Sequence, residues 1–285
     1  MTVSELLKKA ANLAGNDRLL EIEVLLCHTL GVDMPHLIMS NNISVKENFV
    51  TLFNSYLKRF LEGEPVSYIT QNREFYGLDF FVDNRVLVPR PETEEIVDRA
   101  ITYIQSNTEH KKNVNVLDVG TGSGNIAISV VKTLEDLPVY AEVVDISDEA
   151  IEVAKLNIEQ HNLEDRVEAY QSNLLENVKE GSHFEVITAN LPYIGTKKNR
   201  FVEKNVEKYE PSVALFGGET GIELYEELFL DLISWGITFE LLIGEFGFAQ
   251  GEIIRTLLDK YFKGAYKIVK DLAGIERIFL VKGIN

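Results

Sequence analysis

From residue 112 onward, runs of apolar and β-branched residues alternate with helical segments, and this alternation restricts the fold more than any other feature of the chain. Strand-like runs fall at 114–119, 140–144, 167–170, 185–189, 239–244 and 278–281, and helical patterns at 125–134 and 148–161 lie between them. Alternation at this spacing predicts an α/β fold built on a mostly parallel, doubly wound sheet. Such sheets bind ligands outside the carboxyl ends of their strands. The residues into which each strand empties are therefore the candidates for function.

The first strand runs into V-L-D-V-G-T-G-S-G-N. Gly120, Gly122 and Gly124, with Thr121 and Ser123 between them, let the backbone turn sharply and approach a ligand at a helix N-terminus. The second strand ends V-V-D, and Asp145 stands 21 residues beyond Gly124. A carboxylate at that place can accept hydrogen bonds from two ribose hydroxyls. Alone, the glycine turn is an ordinary strand-to-helix connection; with Asp145 it points to a nucleoside cofactor. The dinucleotide pattern G-x-G-x-x-G, started at Gly120, requires a small residue at position 125, where the chain has Asn125. G-x-G-x-G instead resembles the cofactor turn of class I methyltransferases, which bind S-adenosyl-L-methionine. A dehydrogenase is the disfavoured alternative.

The fourth strand ends F-E-V-I-T-A-N-L-P-Y-I, over residues 184–194. The nitrogen of an amide or aromatic amine is barely basic because its lone pair is delocalised. Two acceptors pulling on its two N–H bonds hold it and turn the lone pair toward an electrophile. The Asn190 side-chain oxygen can take one proton and the Leu191 carbonyl the other. Pro192 fixes the turn, and Tyr193 can stack on a planar acceptor. Catalysis on this plan is orientation plus preorganised dipoles, without a conventional base. By itself Asn-x-Pro-Tyr after a strand is commonly only a turn; following the glycine turn and Asp145 in order, it reads as catalytic.

Upstream, the first ~65 residues read as helices. Asp17 can cap a segment bearing Leu19, Ile22, Leu26 and Leu30 at helical spacing and ending at Gly31. Phe49, Leu52, Phe53, Tyr56, Leu57 and Phe60 form one apolar stripe of a second helix. From Pro65 the pattern becomes aromatic and β-branched, with turns at Gly77 and Asp83-Asn84, which suggests a hairpin. Pro91 and the acids Glu92, Glu94 and Glu95 then suit a helix start. The expected division is a helical bundle at 1–68, a β-hairpin linker at 69–88 and a catalytic domain at 89–285.

Composition excludes some partners. The net charge of −17 repels phosphate backbones, and no basic patch stands out, so a protein or small-molecule substrate fits better than nucleic acid. No apolar run approaches the ~20 residues of a membrane span. The start lacks a signal-peptide core, and the one cysteine, Cys27, cannot form an internal disulfide; a cytoplasmic location is the expectation. The histidines at 28, 36, 110, 161 and 183 show no ligand spacing, so no metal is expected. Arg90 and Glu92 either reach the site or serve only the helix start.

Several stretches resemble the HemK/PrmC family of protein-glutamine methyltransferases: P-V-S-Y-I (65–69), E-F-Y-G-L (74–78), V-L-V-P-R-P-E-T-E (86–94), D-V-G-T-G-S-G (118–124), E-P-S-V-A-L-F-G-G (210–218) and A-G-I-E-R (273–277). P-R-P-E-T-E and E-P-x-x-A-L-x-G-G separate this family from methyltransferases generally, and the likeness covers nearly the whole chain. It implies a class I, Rossmann-like methyltransferase with a mostly parallel seven-stranded sheet. It implies methyl transfer from S-adenosyl-L-methionine to the glutamine amide of the Gly-Gly-Gln motif of peptide chain release factors; docking of that partner is the expected task of the helical bundle. The likeness places Gly120, Thr121, Gly122, Ser123 and Gly124 at the methionine part of the cofactor, Asp145 at its ribose, and Asn173 and Leu174 beside adenine. Asn190, Leu191, Pro192 and Tyr193 would hold the glutamine, with Asn190 also bordering the cofactor. The loop of Glu210, Pro211, Gly217 and Gly218 would lie near the acceptor.

Two departures stand out. The family usually has Asn-Pro-Pro-Tyr, and Leu191 gives up proline's locked φ while adding an N–H. Asn173 stands where the family commonly has an acid. Because Asn-Leu-Pro-Tyr is typical of rRNA adenine dimethyltransferases, an rRNA or DNA adenine methyltransferase is the alternative; those enzymes tend to be basic, with their helical domain last. A non-catalytic nucleoside-binding protein that presents its helices to a partner is the second.

Overall fold

A computed structural model describes residues 1–108, 111–196, 204–271 and 273–283. The chain forms two units: Met1–Asn72 with Lys204–Tyr209, and the remainder.

The first unit contains helices α1 (Val3–Ala14), α2 (Leu19–Leu30), α3 (Met34–Met39), α4 (Glu47–Leu61) and α5 (Val66–Thr70). Thr2 and Glu5 close a reciprocal capping box at the start of α1. Gly31, left-handed at φ 67°, ends α2 as its sequence position suggests. Asp17 does not cap α2: it lies in a short 3-10 turn, and Arg18 precedes the helix with no side-chain cap. Arg18 instead lays its guanidinium 3.7 Å from the centre of the Phe60 ring. Helix α4 buries Val50, Phe53, Leu57 and Phe60, whereas Leu52 is exposed, so its buried face is turned from the expected stripe. A later short helix, α9 (Lys204–Tyr209), joins this unit, with Lys208 Nζ and the Tyr209 hydroxyl donating to the Glu62 carbonyl at 3.2 and 3.1 Å.

The second unit begins with a hairpin, β1 (Arg73–Phe75) and β2 (Leu78–Phe80), turned by Tyr76 and Gly77 at φ 53° and 71°. Positions 81–90 follow without strand pairing and include a turn in which the Val86 N–H donates to the Asp83 carbonyl. The hairpin end is pinned to the rest of this unit by Asn157, whose side-chain oxygen accepts from the Phe81 N–H at 2.7 Å and whose Nδ2 donates to Phe81 and Ser123 carbonyls. After a 3-10 turn at Pro91–Thr93 come α6 (Glu94–Asn107), β3 (Val114–Val119), α7 (Asn125–Thr133), β4 (Val139–Asp145), α8 (Asp148–Gln160), β5 (Val167–Gln171) and β6 (His183–Ala189). Past α9 follow α10 (Glu223–Ser234), β7 (Thr238–Glu245), α11 (Gly251–Phe262), β8 (Tyr266–Lys270) and β9 (Glu276–Lys282).

The seven strands β3 to β9 lie in the order β5-β4-β3-β6-β7-β9-β8. Pairing is parallel from β5 across to β7, and β9 runs antiparallel to both β7 and β8. The order reverses between β3 and β6, which opens a crevice at their carboxyl ends. Register aligns Val119 with Ala189 and Ala189 with Gly244, so Gly120, Asn190 and Glu245 emerge side by side. Sequence patterning located six of the strands and missed β8, an edge strand with exposed Lys267 and Lys270 in place of a buried apolar run. No helix among the described residues is long and apolar enough to cross a membrane.

Candidate active site

Gly120, Gly122 and Gly124 have φ values of 72°, 55° and 81°, a backbone region that only glycine occupies without strain. Gly120 serves a second purpose: a Cβ there would lie 2.9 Å from Leu191 Cδ2, so the turn and the Asn-Leu-Pro segment are packed against each other. Beneath the turn, fully buried Asp118 accepts hydrogen bonds from the Thr121 hydroxyl at 2.6 Å and the Thr188 hydroxyl at 2.7 Å. Burial pushes its carboxyl up to about 6 against the pull of those hydroxyls. Asp118 thus ties the glycine turn to β6 from below.

Asp145 accepts from the Gly122 N–H through Oδ2 and from the Ser147 N–H through Oδ1, both at 2.9 Å. Burial raises its pKa above the ordinary carboxylate value, with those N–H groups opposing. Each oxygen keeps a further lone pair for a diol. Across the crevice, Asn173 donates to Glu176 at 3.2 Å, and Leu174 sits in the left-handed region at φ 47°.

Asn190 ends β6 with its amide committed in one direction. Nδ2 donates to the Thr93 hydroxyl at 3.0 Å and to Glu245 Oε2 at 3.2 Å. Neither Thr93 nor Glu245 stood out in the sequence. Burial pushes the Glu245 carboxyl up to about 7, opposed by the Thr93 hydrogen bond and the Arg277 charge. The N–H that Leu191 adds relative to proline faces the Tyr225 hydroxyl oxygen. Fully buried Tyr225 in turn reaches the Ala189 carbonyl at 3.0 Å and the Glu245 carbonyl at 2.6 Å, bracing the ends of β6 and β7.

One cavity is lined by ten of the twelve residues singled out from the sequence: Gly120, Thr121, Gly122, Ser123, Asp145, Asn173, Leu174, Asn190, Leu191 and Pro192. Gly124, outside this lining, is the N-cap residue that precedes α7. Tyr193 is also outside the lining; its ring edge would come within 3.3 Å of a Cβ on Gly247, and its carbonyl accepts from Gln250 Nε2 at 2.8 Å. The Tyr193 carbonyl thus helps to anchor the turn. Arg90 does line the cavity, and its guanidinium donates to Glu210 at 2.6 Å, joining P-R-P-E-T-E to E-P-S-V-A-L-F-G-G. That second loop is zipped to the Asn-Leu-Pro-Tyr segment: the Ile194 N–H donates to the Leu215 carbonyl and the Gly217 N–H to the Ile194 carbonyl.

Away from the cavity, His183, Glu185 and Glu240 bring ligand-type atoms within 4.8 Å of one another. Lys111 already pairs with both carboxylates, at 2.9 and 2.6 Å. His110 falls outside the described residues.

Two family models match the chain: the PrmC N-terminal domain over residues 3–70 and the methyltransferase small domain over residues 93–211. A release factor glutamine methyltransferase of Rhodopirellula baltica is 37% identical over 262 residues, covering 91% of this chain and 87% of that protein. The Bacillus subtilis protein of the same name is 35% identical, over 90% and 88% of the two chains. Among solved structures, the hMettl16 catalytic domain in complex with an RNA hairpin superposes with a TM-score of 0.56 at 13% identity, over 84% and 83% of the two chains. The N-terminal domain of human METTL16 in complex with SAH gives 0.52 at 14%, over 74% and 77%. These structures share the class I methyltransferase fold. On sequence, the chain belongs to the release factor glutamine methyltransferase family.

Proposed function

We propose that this protein transfers the methyl group of S-adenosyl-L-methionine to the side-chain amide nitrogen of the glutamine in the Gly-Gly-Gln motif of peptide chain release factors. The observation that carries the reading is the orientation of Asn190: its NH2 donates to Thr93 and Glu245, which turns its oxygen the other way, beside the glycine-lined crevice. An amide oxygen so placed suits an acceptor that brings N–H groups.

The residues present fit the cofactor. The Gly120 to Gly124 backbone opens at the N-terminus of α7, Asp145 offers free lone pairs to a diol, and Ile146 and Leu174 add apolar surface for a flat ring. When bound, S-adenosyl-L-methionine supplies an electrophilic methyl group on a positively charged sulfur. Asn190 Oδ1 and the Leu191 carbonyl would accept hydrogen bonds from the two N–H groups of the glutamine amide and aim its nitrogen, which gives up one of those protons as the C–N bond forms, while Pro192 and the anchored Tyr193 keep the turn rigid. Transfer is then governed by orientation and preorganised dipoles, in a site whose burial favours loss of charge as the sulfonium is neutralised. Asp145→Ala is expected to weaken cofactor affinity by calorimetric titration; an unchanged Kd would remove Asp145 from the ribose.

The helical unit is assigned to docking of the release factor, and the protein to the cytoplasm where that partner works. Exposed Leu20 and Met39 supply apolar contact area on this unit. Substituting both with serine is expected to raise KM for the release factor while leaving KM for the cofactor unchanged; an unaltered release-factor KM rejects docking through this surface.

Labelled cofactor and enzyme incubated separately with release factor, rRNA and DNA test the whole reading. Label is expected on the release-factor glutamine. Label on adenine instead would favour the nucleic-acid alternative suggested by Asn-Leu-Pro-Tyr, and label on none would favour a binding protein.

A further inference from the structure

We propose that Thr93 and Glu245 are positioning residues that set which way the Asn190 amide faces, so that its oxygen and not its NH2 meets the acceptor nitrogen. The proposal rests on the amide-acceptor reading above and adds the device that makes it work.

The need for such a device follows from the chemistry of asparagine. Its terminal torsion is broad and two-fold, and a half-turn exchanges an acceptor for a pair of donors at almost no steric cost. Presented to a glutamine NH2, the wrong face offers donors to donors and the acceptor is no longer held. Something must break the symmetry, and buried Thr93 and Glu245, holding half-buried Asn190, do so.

The Thr93 hydroxyl has a single proton, and it donates that proton to Glu245 Oε2 at 2.8 Å. Toward Asn190, Thr93 therefore has only lone pairs to offer at its 3.0 Å contact, which selects Nδ2. Ionised Glu245 is an acceptor only, and at 3.2 Å makes the same selection. Thr93 and Glu245 are each 2% exposed, so water does not compete for these bonds. The three residues arrive from separate parts of the chain. Asn190 and Glu245 end neighbouring parallel strands in register, and Thr93 comes from the turn before α6. The threonine of P-R-P-E-T-E thereby gains a purpose beyond starting a helix.

Protonating Glu245 would undo the selection, because the carboxyl would then bring a donor of its own. The groups facing it are Thr93, Arg277, Glu92 and Tyr193: Arg277 and the Thr93 and Tyr193 hydrogen bonds favour the charged form, and Glu92 opposes it. With burial dominant, the carboxyl titrates at about 7.

The test compares Thr93→Val, Thr93→Ser and Glu245→Gln with the unaltered enzyme, using a release factor and labelled S-adenosyl-L-methionine. Thermal unfolding and cofactor titration accompany each variant. Thr93→Val is expected to lower kcat by about 10- to 100-fold with cofactor Kd unchanged, the scale of a misplaced contact. Thr93→Ser keeps the hydroxyl and should restore kcat to within a few-fold. The unaltered enzyme should gain rate as pH rises through about 7, and Glu245→Gln should lose both rate and that limb. Asp118, at about 6, titrates lower and is untouched by the substitution. Wild-type kcat in folded Thr93→Val and Glu245→Gln, or a Thr93→Ser variant as slow as Thr93→Val, overturns the proposal. Should Glu245→Gln not fold, the Thr93 pair still decides. Absence of label on the release factor with the unaltered enzyme would instead refute the underlying reading of the acceptor.

Discussion

Asn190→Ala is expected to lower methyl transfer by roughly 100-fold or more while cofactor binding is retained, because one preorganised polar contact to the reacting group is removed. The expectation follows from where the Asn190 side chain spends its bonds. Its NH2 is held by Thr93 and Glu245, and the oxygen is the part left for the acceptor. Alanine deletes that oxygen and also leaves Glu245, 2% exposed, with one donor fewer. Asp145 and the glycine turn, where the cofactor is proposed to bind, are untouched by the substitution. Steady-state labelling of a release factor, beside calorimetry with the cofactor, checks both halves. Near-normal turnover would remove Asn190 from the chemistry.

Gly217→Ala should disrupt the site from outside it. A Cβ at position 217 would stand 1.8 Å from the Pro192 carbonyl oxygen and 2.8 Å from its carbon. Both are main-chain atoms of the turn proposed to hold the acceptor, so no side-chain rotation relieves the clash. Relief requires the 210–218 loop to lift, at the expense of the bonds that zip Ile194 to Leu215 and Gly217. Overpacking of this kind costs about 1–3 kcal/mol of stability, read from denaturant unfolding. Activity should fall further than stability, since a shift of about 1 Å in a positioned group can cost on the order of 100-fold. A Gly217→Ala enzyme with wild-type kcat would show that the loop does not brace the turn. The first glycine of the A-L-x-G-G pair is thus explained by close approach of backbone to backbone, and the second, Gly218, by its φ of 108°.

Much of this arrangement was legible in the residues because a parallel sheet delivers strand ends to one edge. Once 114–119 and 185–189 read as strands, Gly120 and Asn190 had to emerge near each other, and the β3–β6 register brings them there. Asp145 followed from the same rule. Glu245 obeys it too, at the end of β7, yet an acid in G-E-F-G looks like an ordinary solvated loop residue. Only the register beside Asn190 and its near-complete burial distinguish it. Thr93 was hidden by a sufficient local explanation, the helix start, and Tyr225 by its place on the apolar face of α10. Contacts between distant segments, such as α9 with Glu62, leave no local pattern to read.

The central claim is that Asn190 Oδ1 and the Leu191 carbonyl together grip the acceptor NH2. A crystal structure with S-adenosylhomocysteine and a Gly-Gly-Gln peptide measures it directly. The account predicts the glutamine nitrogen within about 3 Å of both oxygens, with Asn190 Nδ2 still on Thr93 and Glu245. A glutamine bound elsewhere, or an Asn190 oxygen turned toward Glu245, would contradict it.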